Sequence, residues 1–166
     1  MYNRGSRLGT TTPKDWIKLF FISIFTHPIL DCFTGYGTQL FAPFSNYRVA
    51  FDNIAVADPF YTLPFLVSLI ILMCFKRTST TRRTFLKIGL GISSIYMVFT
   101  LINKYYINSV FKSDLAQKRI KYNRFKSQPT ILNNILWYGV AESDTAYHVA
   151  FYSILDKKKT PRKWQS

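Results

Sequence analysis

Apolar residues are gathered into three long segments of the chain, with polar segments between them. The first runs from Trp16 to Phe33, the second from Phe60 to Phe75, and the third from Phe85 to Ile102. With its flanks, each approaches the roughly 17 to 25 residues that a transmembrane helix requires. The pattern predicts a mainly α-helical integral membrane protein with about three transmembrane helices.

Turn residues and charges divide the chain into three predicted regions. Residues 1–15 form a polar N-terminal segment, residues 16–104 a membrane domain, and residues 105–166 an extramembrane C-terminal region. Within the membrane domain, the glycine- and proline-containing segment 34–57 reads as an outer loop. The basic segment 76–84 reads as a cytoplasmic turn, because short cytoplasmic loops concentrate lysine and arginine. This order places residues 1–15 in the cytoplasm and the C-terminal region on the outer face.

The C-terminal region combines helical and strand patterns. Apolar residues at helical spacing after Asn103 either extend the third helix or form a separate amphipathic helix. Residues 131–141 and 146–155 are rich in aromatic and β-branched side chains and are separated by a short polar stretch, which indicates a possible β-hairpin. The last residues, 157–163, read as a solvated basic tail.

The chain is strongly basic, with a formal net charge of +14 and eight acidic residues. Its lysines and arginines lie between and after the apolar segments, which suits anionic lipid headgroups as partners. No nucleic-acid-binding motif occurs, so a nucleic-acid partner is not expected.

His27 and Asp31 are ionisable residues within the first apolar segment, four positions apart. Such residues are costly at membrane depth and usually mark a pathway, a ligand set or a mutually satisfied pair. On a helix the two side chains share one face, and imidazole and carboxylate are both zinc ligands. The pair is therefore either part of a divalent metal site or a structural hydrogen-bonded pair.

Further candidate residues follow on the predicted outer side. Asp58 is a third ligand or a general base, or else the N-cap of the second helix ahead of Pro59. Arg48 either clamps an anionic group or anchors the loop at lipid headgroups. Thr34 and Tyr36 line the same loop. Their Thr-Gly-Tyr-Gly sequence lacks the valine of a potassium-channel filter, so a flexible substrate-contacting loop is the better interpretation.

Three motifs together resemble a bacterial membrane family described as LexA-regulated, membrane-bound metal-dependent hydrolases. They are Phe25-Thr-His27-Pro-Ile-Leu-Asp31-Cys-Phe-Thr34-Gly-Tyr-Gly37, then Ala42-Pro43-Phe-Ser45 with Tyr47-Arg48, then Asp58-Pro59-Phe-Tyr61-Thr-Leu-Pro64. The resemblance implies that His27 and Asp31 belong to a metal set, and it maps the family's Asp-Pro motif onto Asp58. Asp58 is then the candidate catalytic residue, as a third ligand or general base. It also implies a location in the bacterial inner membrane.

The family's histidine-containing N-terminal motifs are not found upstream of His27, so the chain resembles the later part of a family member. The resulting hypothesis is a multi-pass, zinc-dependent hydrolase with an incomplete metal site, acting on a phosphoester or lipid-like substrate. Arg48, Tyr36 and Thr34 would bind that substrate, and another polypeptide would supply the missing motifs. The alternative is a non-catalytic membrane scaffold or stress-response protein in which His27 and Asp31 form a structural pair.

Overall fold

The computed structural model describes residues 11–76, 78–156 and 160–165. Within these residues, three helices and three strands follow in chain order: α1 (Pro13–Asp31), α2 (Pro59–Cys74), α3 (Thr80–Gln117), β1 (Arg124–Pro129), β2 (Leu136–Glu142) and β3 (Tyr147–Ser153). They fall into two compact units, Met1–Phe51 and Asp52–Ser166. Residues 1–10 of the predicted N-terminal segment, Arg77 of the basic turn and residues 157–159 of the basic tail lie outside the described residues.

The first unit consists of α1 and the loop that follows it. Helix α1 begins with a capping box, in which the Thr12 hydroxyl accepts from the Asp15 amide and the Asp15 carboxylate accepts from the Thr12 amide at 2.9 Å. The loop is closed by two hydrogen bonds of 3.0 Å between the backbones of Thr38 and Val49. These bonds give the loop a defined shape without a helix or strand of its own.

The second unit is organised by α3, which packs first against α2 and then against the sheet. Gly89 permits the close approach of α2, because a Cβ atom at this position would lie 2.6 Å from the Ser68 side chain. Farther along α3, Ile107, Phe111 and Leu115 are fully buried in the core beneath the sheet. Of the two alternatives for the residues after Asn103, the structure has the extended third helix, since α3 continues to Gln117.

The sheet is antiparallel with the order β1-β2-β3. Strands β2 and β3 form the predicted hairpin, with Glu142 opposite Tyr147. Strand β1 was not predicted, because Arg-Phe-Lys-Ser-Gln-Pro contains few residues that favour strands and ends in proline. Trp137, Gly139 and Ala141 of β2 alternate inward, so this strand supplies one face of the core.

The prediction of three transmembrane helices was wrong. Among the described residues, only α3 is both long and apolar enough to cross a membrane. Helix α2 has 16 residues, or about 24 Å at roughly 1.5 Å per residue, which is less than the hydrocarbon thickness of about 30 Å. Helix α1 is 19 residues long but carries Lys14, Asp15 and Lys18 at one end and His27 and Asp31 near the other. A multi-pass arrangement is therefore not supported. The first two apolar segments reach the length of a span only with their flanks, and those flanks are charged or do not continue the helices.

Candidate functional site

His27 and Asp31 lie on one face of the last turns of α1, as their spacing predicted. The His27 Nε2 and Asp31 Oδ2 atoms are 3.5 Å apart. The side chains remain accessible, with 79% of His27 and 48% of Asp31 exposed. The structure thus places an imidazole and a carboxylate side by side with room for a further group, and the geometry suits either an ion pair or two ligands of one cation.

The three predicted substrate-binding residues, Thr34, Tyr36 and Arg48, lie in the same unit, and the side chains of Thr34 and Arg48 each donate to a backbone carbonyl. The Thr34 hydroxyl donates to the Asp31 carbonyl at 2.8 Å, which ties the loop to the end of α1. The Arg48 guanidinium donates to the Tyr36 carbonyl at 3.3 Å. Arg48 is exposed and has five N–H donors, so this one bond leaves capacity for an anion.

Asp58 belongs to the second unit, and it is the N-cap of α2. Its Oδ1 atom accepts from the Phe60 amide at 2.9 Å, and its Oδ2 atom accepts from the Tyr96 hydroxyl at 2.8 Å. The residue is almost fully buried. Because both carboxylate oxygens are engaged, the structure gives Asp58 a clear role in holding the start of α2 against α3.

A complete metal-binding cluster is not formed by the residues that the structure describes. Within 11–76, 78–156 and 160–165, no three His, Cys, Asp or Glu side chains are grouped so that they could hold one ion. The second histidine, His148, lies in β3, where its Nε2 atom is 3.5 Å from the Ser143 hydroxyl. His27 and Asp31 therefore provide two of the ligands that a metal site would need.

Sequence reasoning missed a buried polar seam formed by Asn53, Thr100, Asn103 and Asn134. The Asn53 amide donates to the Thr100 hydroxyl at 2.7 Å, and the Asn134 amide donates to the Asn53 carbonyl at 2.7 Å. The Asn103 amide donates to the Asn134 side-chain carbonyl at 2.5 Å. The signal for this seam in the sequence of α3 is slight: Thr100 and Asn103 are three positions apart and therefore share one helical face.

Lys104, one residue beyond Asn103, covers part of the free edge of β1. Its ammonium donates to the Ser127 backbone carbonyl and lies 3.2 Å from the Ser127 hydroxyl. That hydroxyl donates to the Asn108 side chain at 2.6 Å. Charged groups on an edge strand oppose pairing with another chain, so these contacts join α3 to the sheet and also protect the edge of β1.

The opposite face of the sheet carries a cleft of about 630 Å³. Its walls include two ion pairs, Arg124 with Glu142 at 2.7 Å and Lys126 with Asp52 at 3.0 Å. The hydrogen bond from Arg124 lowers the pKa of the Glu142 carboxyl, and the same bond raises the pKa of Arg124. Tyr147 adds an exposed aromatic side chain, so the cleft is amphipathic.

Comparison with known proteins gives the family of the chain. The model of one family, the YdjM inner membrane protein family, matches residues 3–107, which is more than half of the sequence. The match covers α1, α2 and the apolar stretch of α3 and stops before the sheet. Searches of curated proteins and of solved structures found no significant match. The chain belongs to the YdjM inner membrane protein family.

Proposed function

We propose that this inner membrane protein is a membrane-anchored scaffold. The observation that carries the proposal is the continuity of α3, which runs without interruption from the apolar stretch 85–102 into the core of the sheet. Sharp bends in helices usually occur at a proline, at Gly/Ser pairs, at a π-bulge or at an inserted group. Helix α3 contains no proline, and Gly89 and Gly91 lie within a backbone that is α-helical throughout Thr80–Gln117. The sheet is therefore held at a fixed orientation to the helix, as a scaffold requires.

The orientation of α3 in the membrane is proposed from the basic residues at its N-terminal end, although lysines also follow its apolar stretch, at positions 104, 112 and 118. Lys76, Arg82 and Arg83 lie at its N-terminal end, and basic residues next to a span favour the cytoplasmic side. The sheet then lies on the outer face. A C-terminal alkaline phosphatase fusion, which is active only outside the cytoplasm, should be active, whereas an inactive fusion together with a fluorescent cytoplasmic reporter fusion would reverse this orientation.

Photo-cross-linking in intact membranes tests the scaffold proposal. We would place a benzophenone amino acid at Tyr147, in the cleft, and at Lys112, which is exposed on α3 outside it. A scaffold should give one discrete, reproducible adduct from position 147 and none from position 112. If neither position gives an adduct, or if both give the same diffuse products, the sheet does not act as a specific assembly surface.

A metal-dependent hydrolase is the second candidate, and the closeness of His27 and Asp31 favours it. Their donor atoms, 3.5 Å apart, could share a zinc-type ion that activates water against a phosphoester or lipid-like substrate. Arg48, with Thr34 and Tyr36 in the adjoining loop, would orient the anionic group of that substrate. A catalytic zinc ion usually takes three protein ligands, so this candidate also needs a donor from outside the pair, for example from another polypeptide.

Metal analysis separates the two candidates. Purified protein with stoichiometric zinc, lost in His27→Ala and in Asp31→Ala but retained in His148→Ala, would support the hydrolase. The His148 variant is the matched control, because it removes the other histidine of the chain. Metal-free protein after incubation with zinc, and unchanged thermal stability of His27→Ala, would exclude this metal site and leave the scaffold.

A further inference from the structure

The loop after α1 presents a group of exposed aromatic side chains. We call residues 34–51 the aromatic loop. Phe44 is 95% exposed and Tyr36 is 76% exposed, and Phe41 and Tyr47 are also largely accessible. Large apolar side chains that remain exposed together usually mark a contact with a membrane or a partner.

Backbone hydrogen bonds give the aromatic loop a defined conformation. The Thr38–Val49 backbone pair closes the loop, and Phe44 and Ser45 both donate backbone hydrogen bonds to the Phe41 carbonyl, at 2.8 and 3.0 Å. The exposure of the aromatic rings is therefore a property of a folded turn. A preorganised turn loses little conformational entropy when its side chains enter another environment.

The chemistry of the aromatic loop favours a lipid interface over a dry protein interface. Tyrosine side chains join a ring to a hydroxyl and are enriched where hydrocarbon meets headgroups. Arg48, between Tyr47 and the closing Val49, adds a positive charge that complements anionic headgroups. We propose that the aromatic loop inserts into the headgroup region of the anionic inner membrane, as a second membrane contact of the chain in addition to α3. This proposal is independent of whether His27 and Asp31 hold a metal ion.

Site-specific fluorescence in vesicles tests the proposal on the full chain. Native Cys32 and Cys74 would be changed to serine, and a single cysteine introduced as Phe44→Cys would be labelled with an environment-sensitive nitrobenzoxadiazole dye. Tyr147→Cys is the matched control, because Tyr147 is also an exposed aromatic residue, with 62% of its surface accessible. The strand register pairs Tyr147 with Glu142, at the opposite end of the sheet from Trp137. The Trp137 end is the one near Asn134, which contacts Asn103 of α3 just after the apolar stretch 85–102. Position 147 is therefore far from the proposed span.

In phosphatidylglycerol-containing vesicles, we expect the dye at position 44 to emit at shorter wavelength than at position 147. Its quenching by aqueous iodide should be several-fold weaker, and lipids with a shallow nitroxide should quench it while leaving position 147 unaffected. Equal iodide quenching at the two positions would overturn the proposal. Protection of position 44 that disappears when the protein is diluted with lipid would also overturn it, since the occupant would then be a second copy of the chain.

Discussion

The contact between Phe111 of α3 and Gly139 of β2 allows a direct test of how tightly α3 packs against the sheet. A Cβ atom at Gly139 would lie 3.0 Å from Phe111 Cδ1 and 3.1 Å from Cε1. The Phe111 ring is fully buried, with the Trp164 ring at 5.8 Å and the Tyr152 ring at 6.3 Å between centroids. Because these rings surround it, Phe111 has little room to move away from an added methyl group.

We therefore expect Gly139→Ala to destabilise the second unit. Overpacking a tight core typically costs about 1–3 kcal/mol. Replacing a glycine inside a strand returns about 0.5–1 kcal/mol, because the unfolded chain loses conformational freedom. The expected net loss in the free energy of unfolding therefore lies between about 0 and 2.5 kcal/mol, centred on about 1 kcal/mol.

A double-mutant cycle identifies the cause. Phe111→Leu alone should destabilise by creating a cavity, but the smaller side chain leaves space for the methyl group of Gly139→Ala. The double variant should then be more stable than the sum of the single changes by about 0.5 kcal/mol or more. Denaturant unfolding in detergent, followed by the fluorescence of the core residues Trp137 and Trp164, measures all four species. Strict additivity in the cycle, or an increase in stability of more than about 0.5 kcal/mol for Gly139→Ala alone, would contradict the packing described here.

Three further predictions concern other parts of the second unit. Gly89→Ala should loosen the packing of α2 on α3, because the new methyl group meets Ser68, whereas Gly91→Ala should be neutral or stabilising, since nothing lies within 4 Å of that position; thermal unfolding in detergent compares the two. Asp58→Ala should cost about 0.5–2 kcal/mol through loss of the N-cap, and Asp58→Asn should recover part of it, which denaturant unfolding would show. The lowered pKa of Glu142 means that its ion pair stabilises the fold above the ordinary carboxyl pKa and that this contribution is lost as the pH falls through the lowered value. Glu142→Gln should therefore lose less stability on acidification than the unchanged chain. Thermal unfolding between pH 6 and pH 3, roughly the range in which glutamate titrates, measures this difference. Identical pH profiles of the two proteins would argue against the ion pair.

Local patterns in the sequence determined much of this protein. The hydroxyl of Thr12 and the carboxylate of Asp58 mark helix starts because capping depends on residues within one turn. The spacing of His27 and Asp31 similarly determined that they meet, since residues four apart on a helix are neighbours. The β2–β3 hairpin could be predicted for the same reason, because its pairing partners are joined by a short turn.

Tertiary structure alone decided which apolar segment is long enough to cross a membrane and what the polar residues of α3 contact. Asn53 and Asn134 are 81 residues apart, and only the packed chain brings their amide and carbonyl groups together. Strand β1 likewise depends on its pairing with β2 and on the bond from Lys104, and its own residues have little preference for a strand. Periodicity and capping act within a few residues and can be read directly from the sequence, whereas burial and long-range hydrogen bonding depend on which distant surfaces the folded chain places in contact.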